Sequence, residues 1–321
     1  MSNPYDVVVL GEILVEVATE TAFSDGVEAR LGISGDALNV AAAAAGAGAR
    51  VGLVSVVGED ELGDAVRRRV TELGICSELL VSRPGQQGVY FVHSDPEGNR
   101  EFSYARSHSV GSTLSPLDLD LEVIREAGAV IASGITGAVS AAARSAVVAA
   151  AKAARRFIYD PNHRPRLSSV EEARALLEEV APHAWLVTPS FPGETSRLLE
   201  AETAQAAAAA LGAMGTTHAA VTCGAEGVHL LTDAAGRTGE GQREYWIPSY
   251  PAPSIVDQTG AGDSFLGNLA ARAVEGAELA EAVRWGAAAA SLVVGGRGGT
   301  GLVPDRAQTQ AQMEGHPDEH R

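Results

Sequence analysis

Cysteine is scarce in this chain of 321 residues, which contains two, Cys76 and Cys223. Neither lies at metal-ligand spacing from another ligand residue, and two cysteines are too few for a disulfide framework. A reducing compartment fits this composition, so we expect a cytoplasmic protein. The N-terminal residues lack the basic segment of a signal peptide. The apolar run 41–49 is too short and too glycine-rich to span a bilayer.

Positive charge is in short supply as well. The 24 lysines and arginines face 41 aspartates and glutamates, which gives a formal charge of −17. An acidic surface repels nucleic acid and anionic membranes, so we predict neither as a partner. Solubility alone is also a sufficient reason for such a surface. Any phosphate-binding site in this chain must therefore supply its own local positive potential.

Aromatic residues make up only 5% of the chain, but 45% of its residues are apolar, the profile of a globular protein rather than a disordered one. Short apolar runs alternate with alanine-rich or charged helical segments. This alternation predicts an α/β fold with a parallel, doubly wound sheet. Core strands are expected at 7–10, 51–58, 129–134, 156–160, 185–188 and 219–222.

Two segments are more polar than these core strands. The segment 12–17 roughly alternates between apolar and polar residues, which predicts a strand with one open face. The segment 87–106 predicts a half-exposed β-hairpin around the turn Pro96-Glu97-Gly98-Asn99. Residues 31–36 are expected to form a turn before a helix.

No sequence repeat and no internal linker interrupts the chain. We therefore predict a single domain over residues 1–310 that carries the small β insertion. A polar C-terminal tail is expected over 311–321, with fraying from Gln308 onward.

The stretch Asp257-Gln258-Thr259-Gly260-Ala261-Gly262-Asp263 places small residues between a strand-like run ending near Val256 and a helix starting near Asp263. Such a loop directs the free N–H groups of Gly260, Ala261 and Gly262, and the positive end of the helix dipole, at an anion. A carboxylate at that place repels the anion, so Asp263 is better suited to take a proton from a nucleophile that attacks it. The loop predicts phosphoryl transfer with Asp263 as base. A helix N-cap is the alternative role of Asp263.

Two other glycine patterns help to define the nucleotide chemistry. The chain has no Gly-x-x-x-x-Gly-Lys-Ser/Thr loop, which excludes a P-loop enzyme of the standard kind. Gly296-x-Gly298-x-x-Gly301 imitates a dinucleotide fingerprint, but it follows an alanine-rich helix instead of opening one. We therefore discount a dehydrogenase.

The loop 257–263 resembles the C-terminal signature of the pfkB (ribokinase-like) carbohydrate kinases, Asp-x-Thr-Gly-Ala-Gly-Asp. Residues 34–41 resemble the N-terminal signature of that family, Gly-Gly-x-x-x-Asn-x-Ala, with Ser34 in place of the first glycine. Over roughly residues 5–305 the resemblance implies a ribokinase-like fold, in which a central, mostly parallel sheet is flanked by helices. It implies a small β lid built near 12–17 and 87–106. It also implies ATP and Mg²⁺, in some members K⁺, and homodimers that pair through the lid.

Within the family, the stretches 11–16, 102–106, 133–136 and 160–165 are similar to the 2-keto-3-deoxygluconate kinases. This resemblance implies that Arg106 and Arg164 bind the substrate carboxylate, a role that suits the planar guanidinium group of arginine. It also implies that Tyr90 and Tyr104 line the pocket, and that Gly35, Asp36 and Asn39 bind hydroxyls. The alternatives are arginines in surface ion pairs, a fructokinase-like enzyme, or a sugar or nucleotide sensor without activity.

The remaining assignments concern ATP and its metal. The resemblance implies that the nucleotide is bound by Thr222, Gly224, Gly227, Gly260, Gly262 and Gly298. Members of the family usually have Asn-x-x-Glu near the phosphates, where it contacts Mg²⁺ through water. Here Ser190 stands in place of that asparagine, and Glu194 lies one residue further along. Glu194 is therefore the candidate for the contact with Mg²⁺.

Overall fold

The computed structural model describes residues 5–94, 100–236 and 241–316. Its strands are β1 (Val7–Leu10), β2 (Leu14–Thr19), β3 (Arg30–Ser34), β4 (Val51–Gly58), β5 (Leu80–Arg83), β6 (Val89–Ser94), β7 (Arg100–Ala105), β8 (Ala129–Ser133), β9 (Phe157–Asp160), β10 (Ala184–Val187), β11 (His218–Thr222), β12 (Val228–Thr232) and β13 (Arg243–Ile247). Its α-helices are α1 (Asp36–Gly46), α2 (Glu61–Glu72), α3 (Leu121–Glu126), α4 (Gly134–Ala138), α5 (Ala141–Ala153), α6 (Val170–Val180), α7 (Thr195–Leu198), α8 (Ala204–Ala213), α9 (Ala261–Val274), α10 (Leu279–Val293) and α11 (Arg306–Glu314).

The larger of the two sheets has the strand order β13-β12-β11-β10-β9-β8-β1-β4-β5. Its strands are parallel from β5 to β11, and β12 and β13 complete it as antiparallel strands. Every residue of β1 is buried because helices cover both faces of the sheet. Successive residues of β1 pack alternately into the two cores, Val8 into one and Val9 into the other. All six predicted core strands are confirmed, whereas the edge strands β5 and β13, and β12 beside β13, are absent from the prediction.

The smaller sheet has the strand order β3-β2-β6-β7. The antiparallel pair β6–β7 confirms the predicted hairpin, and its turn at 96–99 lies outside the described residues. Residues 31–34, predicted as part of a turn, instead lie in β3, where Ile33 is paired with Val15. The open edge of β2 offers main-chain partners to this segment, and that pairing outweighs the local turn preference of Gly32.

Two other local predictions are wrong. Ile255 and Val256 do not form a strand, and they are 70% and 53% exposed. Helix α9 begins at Ala261 after an N-cap at Gly260, two residues earlier than expected. Gly260 has a positive φ of 83°, which glycine adopts without strain.

The expected fraying of the C-terminal tail is also wrong as far as residue 314, because α11 occupies Arg306–Glu314. Asp305 and Gln308 form a reciprocal capping box at its start. Gln312 donates hydrogen bonds to the carbonyl oxygen of Pro251 at 2.8 Å and to Ser291 Oγ at 3.0 Å. Residues 317–321 lie outside the described part of the chain. Within the described part, no helix has the length and apolar character needed to cross a membrane.

Candidate active site

The predicted site residues meet where β1 and β8 end and where α1 and α9 begin. The chain runs from β1 to β4 on one side, and β8 lies on the other side of β1. Such a reversal of strand order opens a crevice at the carboxyl edge of a parallel sheet. Asp36, the first residue of α1, accepts a hydrogen bond there from the hydroxyl of Ser133 at the end of β8. Gly35 turns the chain into α1 with φ 133°, and a side chain there would lie 2.8 Å from the carbonyl oxygen of Glu12.

Asp263 lies in the first turn of α9 and is half-buried. Asn39 Nδ2 donates a hydrogen bond to Asp263 Oδ2 at 2.8 Å, so the amide expected to bind a sugar hydroxyl also orients this carboxylate. Burial raises the pKa of Asp263 to about 7, and the nearby charge of Asp36 acts in the same direction. The Asn39 hydrogen bond and the positive charge of Arg164 both act to lower that pKa. The side chain therefore titrates at a higher pH than an ordinary aspartate.

The glycine loop before α9 is tied to a second glycine loop. The carboxylate of Asp257 accepts hydrogen bonds from the N–H of Thr259 at 2.6 Å and from the N–H of Gly298 at 2.9 Å. This brings Gly298 beside the loop that carries Gly260, Ala261 and Gly262. A Cβ atom on Gly262 would meet no other atom within 4 Å, and this residue is exposed. Of the three N–H groups expected to face an anion, that of Ala261 already donates to the carbonyl oxygen of Gln258 at 3.3 Å.

Arg164 lies in the segment that follows β9, and its side chain is exposed. Its positive charge acts to lower the pKa of both Asp160 and Asp263, which places it close to both carboxyls. Burial raises the pKa of Asp160 well above its usual range, with Glu194 and then Asp263 as further causes. Within residues 5–94, 100–236 and 241–316, Arg164 forms no ion pair. Its charge is therefore available to an anionic ligand.

Arg106 follows β7 and forms an ion pair with Glu12, with 2.5 Å between Nη2 and Oε2. The side chains of Arg106 and Glu12 are 10% and 2% exposed, so Arg106 is in an ion pair, as the alternative expected, but the pair is buried and not at the surface. The Arg106 guanidinium lies 5.8 Å from the centre of the Tyr104 ring. Tyr90 and Tyr104 are cross-strand partners whose ring centres are 6.0 Å apart. The two tyrosines and Arg106 thus share one end of the small sheet.

Glu194 is a buried carboxylate with several protein donors. It accepts hydrogen bonds from the N–H of His163 at 2.5 Å, from the N–H of Ser190 at 2.8 Å and from Ser190 Oγ at 2.9 Å. It therefore joins the segment after β9 to the loop after β10. Ser190, which replaces the usual asparagine, is one of its donors. In the described ranges no three His, Cys, Asp or Glu side chains are grouped so that they could hold a metal ion.

The residues expected to bind the nucleotide lie at the end of β11 and in the turn to β12: Thr222, Gly224 and Gly227. Gly227 has φ 129°, and a side chain there would lie 2.2 Å from the carbonyl oxygen of Ile247, so the position admits only glycine. Thr222 pairs with Ser190 in an isolated bridge, which places this turn beside the loop of Glu194.

A cavity of about 960 Å³ adjoins this site between the small sheet, α2 and the two glycine loops. Its wall includes Glu16, Tyr90, Asp257 and Gly298. A cavity of this volume lies within the range of small-molecule sites.

The family of the chain follows from a match over most of its length. Residues 5–306 match the pfkB family carbohydrate kinases. The chain belongs to this family.

The kinase is 30% identical over 286 residues to a 2-dehydro-3-deoxygluconokinase of Thermoproteus tenax, with 88% of this chain and 85% of the relative covered. It is 26% identical over 283 residues to the enzyme of the same name from Bacillus subtilis (strain 168), covering 86% and 84%. It is 27% identical over 294 residues to fructokinase-2 of Solanum lycopersicum, covering 86% and 85%.

Solved structures show the fold of this kinase. A 2-dehydro-3-deoxygluconokinase of Thermotoga maritima matches it with a TM-score of 0.82 at 21% identity, covering 96% of this chain and 98% of that one. A ribokinase of Arabidopsis thaliana complexed with ribose and ATP matches with a TM-score of 0.80 at 23% identity, covering 98% and 99%. The ribokinase-like prediction is confirmed.

Four side chains at the site of this kinase received no predicted role, namely Glu12, Glu16, Ser133 and Asp160. Ser133 and Asp160 are the last residues of β8 and β9. Ligands of parallel sheets bind at the edge where the buried strands end. A polar residue at the end of such a strand is therefore the sequence feature that could have identified these two site residues. Glu12 and Glu16 fall in a stretch that carried the family resemblance, but their partners, Arg106 and Tyr90, are more than 70 residues away in the chain.

Proposed function

We propose that this kinase transfers the γ-phosphoryl group of ATP to the primary hydroxyl of 2-keto-3-deoxygluconate, also named 2-dehydro-3-deoxygluconate. The observation that carries the proposal is the carboxylate of Asp263. It lies at the N-terminus of α9, is oriented by Asn39, and has a pKa raised by burial to about 7. A base that titrates near working pH beside an anion-binding loop suits the attack of a hydroxyl on phosphorus.

In the proposed reaction Asp263 takes the hydroxyl proton while the hydroxyl oxygen bonds to the γ-phosphorus. The bond between that phosphorus and its bridging oxygen breaks, and ADP leaves. The N–H groups of Gly260, Ala261 and Gly262, with the positive end of α9, stabilise the charge on the transferred group. Because such transition states are loose, alignment and exclusion of water contribute most, and we propose that the small sheet acts as the lid.

We propose that ATP is bound by residues in and beside the loops described above: Thr222, Gly224, Gly227, Gly260, Gly262 and Gly298. Mg²⁺ supplies neutralisation of the phosphate charge when it binds together with ATP. The residue proposed to hold one of its water molecules is Glu194. Each carboxylate oxygen has two lone pairs, so the protein donors on Glu194 leave it able to accept from water.

The proposed sugar site has two cations for the substrate carboxylate, Arg106 and Arg164. Arg164 supports this assignment because it is exposed beside Asp160 and Asp263 and forms no ion pair in the described ranges. Tyr90 and Tyr104 are proposed to line the site, and Gly35, Asp36 and Asn39 to bind the hydroxyls. Two relatives carry the name of kinases for this sugar acid, which also supports the proposal.

A coupled assay of ADP formation across acidic and neutral sugars tests the proposal. We expect the highest kcat/KM for 2-keto-3-deoxygluconate, and a KM at least about tenfold higher in Arg164→Gln, since one charged hydrogen bond contributes more than 1.4 kcal/mol. Arg166→Gln is the matched control, because Arg166 is an exposed neighbour that donates to the carbonyl oxygen of Phe102. A preference for fructose would favour the fructokinase alternative, and no turnover with any sugar would favour a sensor.

A further inference from the structure

Two glutamates contact side chains that are proposed above to bind the sugar acid. Glu12 forms the ion pair with Arg106. Glu16, on β2, accepts a hydrogen bond from the hydroxyl of Tyr90. The two glutamates are four residues apart, where the chain leaves β1 and enters the small sheet.

The Glu12 carboxylate is fixed in a narrow slot. Ser109 Oγ donates to its Oε1 at 2.6 Å, while its Oε2 faces Arg106. Two glycines make room for it: a Cβ atom on Gly111 would lie 2.4 Å from Glu12 Cγ, and one on Gly88 would lie 2.8 Å from Oε1. Such close walls leave the carboxylate little freedom to move. Its Oε2 holds Arg106 Nη2 by charge attraction, without a hydrogen bond of ordinary geometry.

We propose that Glu12 is a positioning residue, which orients the guanidinium of Arg106 for the carboxylate of the sugar acid. A guanidinium carries five N–H donors, so the pair with Glu12 leaves donors for a second carboxylate. A guanidinium that is ordered before binding loses less side-chain entropy when substrate arrives. Glu12 also offsets part of the positive charge of Arg106, so its benefit to binding comes from orientation and not from attraction. This inference rests on the proposed function.

The test is a double-mutant cycle on the KM for 2-keto-3-deoxygluconate. Glu12→Leu removes the acceptor at similar volume, and Arg106→Leu removes the cation. We expect each to raise this KM about tenfold or more, with kcat and the KM for ATP changed less than about threefold. In the double variant the KM should equal that of Arg106→Leu alone, because Glu12 acts through Arg106. Glu12→Gln keeps an acceptor oxygen and should stay near the wild-type KM.

A second, half-buried ion pair provides the control. Arg83 Nη2 and Asp118 Oδ1 are 2.5 Å apart, and the two side chains are 32% and 5% exposed. Asp118→Leu should lower the thermal midpoint as Glu12→Leu does, without changing the KM for the sugar acid. If Glu12→Leu does not fold, Glu12→Asp replaces it in the cycle, because it keeps the charge but withdraws the carboxylate by one methylene.

The outcomes separate the two proposals. A wild-type enzyme without activity on the sugar acid overturns the proposed substrate, and the role of Glu12 with it. A wild-type enzyme that is active on the acid, but in which the Glu12 and Arg106 substitutions have additive effects on KM, overturns only the role of Glu12. An equal rise in the KM for ATP would also overturn that role.

Discussion

At the scale of a single residue, the ionisation of Asp263 should affect stability and activity in opposite directions. The folded protein raises its pKa to about 7, mainly by burial, whereas an aspartate in an unfolded chain titrates near pH 4. The contribution of this group to stability is therefore fully present below about pH 4 and is lost as the pH rises through about 7. Activity has the opposite requirement, because only the ionised carboxylate accepts a proton.

Asp263→Asn should separate these two properties. The amide resembles the protonated carboxyl, so we expect a thermal midpoint that is higher than wild type at pH 8 by about 3 °C or more. Turnover should fall at least about a hundredfold, the usual scale of base catalysis. Calorimetry and steady-state kinetics measure the two effects, with titration calorimetry as a check that the sugar still binds. Near-normal turnover would show that Asp263 is not the base.

The pH dependence of kcat/KM should report the same titration. It should rise with pH through about 7 and level off above, because deprotonated Asp263 is the active form. The Asn39 hydrogen bond stabilises that ionised form. Its loss in Asn39→Leu should therefore move the rising limb to higher pH. The profile is measured over roughly pH 5.5–9, which covers the expected titration of Asp263. A rising limb at the same pH in Asn39→Leu and in the wild type would contradict the role of Asn39 in setting this pKa.

At the scale of elements, the two glycine loops and α1 form one packed unit. The Asp257 carboxylate joins the loops, and Gly299 lies against the side chain of Asn39. A Cβ atom on Gly299 would be 2.1 Å from Asn39 Nδ2, a distance that no relaxed structure allows. The second loop therefore contributes to the place of the Asp263 carboxylate, the proposed base, through its packing against Asn39.

Gly299→Ala should displace the Asn39 amide from Asp263. We expect kcat to fall about tenfold or more, because small displacements of reacting groups are costly. The pH limb should also move in the same direction as in Asn39→Leu. Gly193→Ala is the control, since a Cβ atom there meets no atom within 4 Å. Equal kinetics in the two alanine variants would refute this coupling.

How much of these elements the sequence predicts depends on what determines each one. The core strands were predictable because continuous apolar runs such as 7–10 follow from burial on both faces. A loop that opens a helix could be predicted at 257–263 because its small residues are consecutive, although α9 begins two residues earlier than expected. Strand β3 and helix α11 were not, since Ile33 depends on pairing with Val15, and Gln312 depends on partners at Pro251 and Ser291. The contact between Glu12 and Arg106 was not predictable for the same reason, because it joins residues that are far apart in the chain.

At the scale of the whole molecule, we predict a homodimer formed through the small sheet. Its edge strand β3 has a neighbouring strand on one side only, and Leu31 on this strand is 57% exposed. Phe23 beside the sheet contacts Phe91 and is 44% exposed. Clustered exposed apolar side chains are typical of a surface that another chain covers.

Leu31→Asp should convert this dimer to a monomer, because it places a charge at the centre of the contact. Light scattering coupled to gel filtration at micromolar concentration measures the mass. Leu117→Asp is the control, since Leu117 is 95% exposed but lies outside the small sheet. A wild-type chain that elutes as a monomer would contradict the prediction.

The hydrogen bond between Asn39 and Asp263 spans 224 positions of the chain. Gly299, which packs on that same amide, comes later still in the chain. During synthesis on the ribosome, the segment that presents Asn39 therefore emerges long before its partners. The Asp263 carboxylate, which we propose as the base, reaches its place only when nearly the whole chain has been made, so an incomplete nascent chain lacks the assembled site.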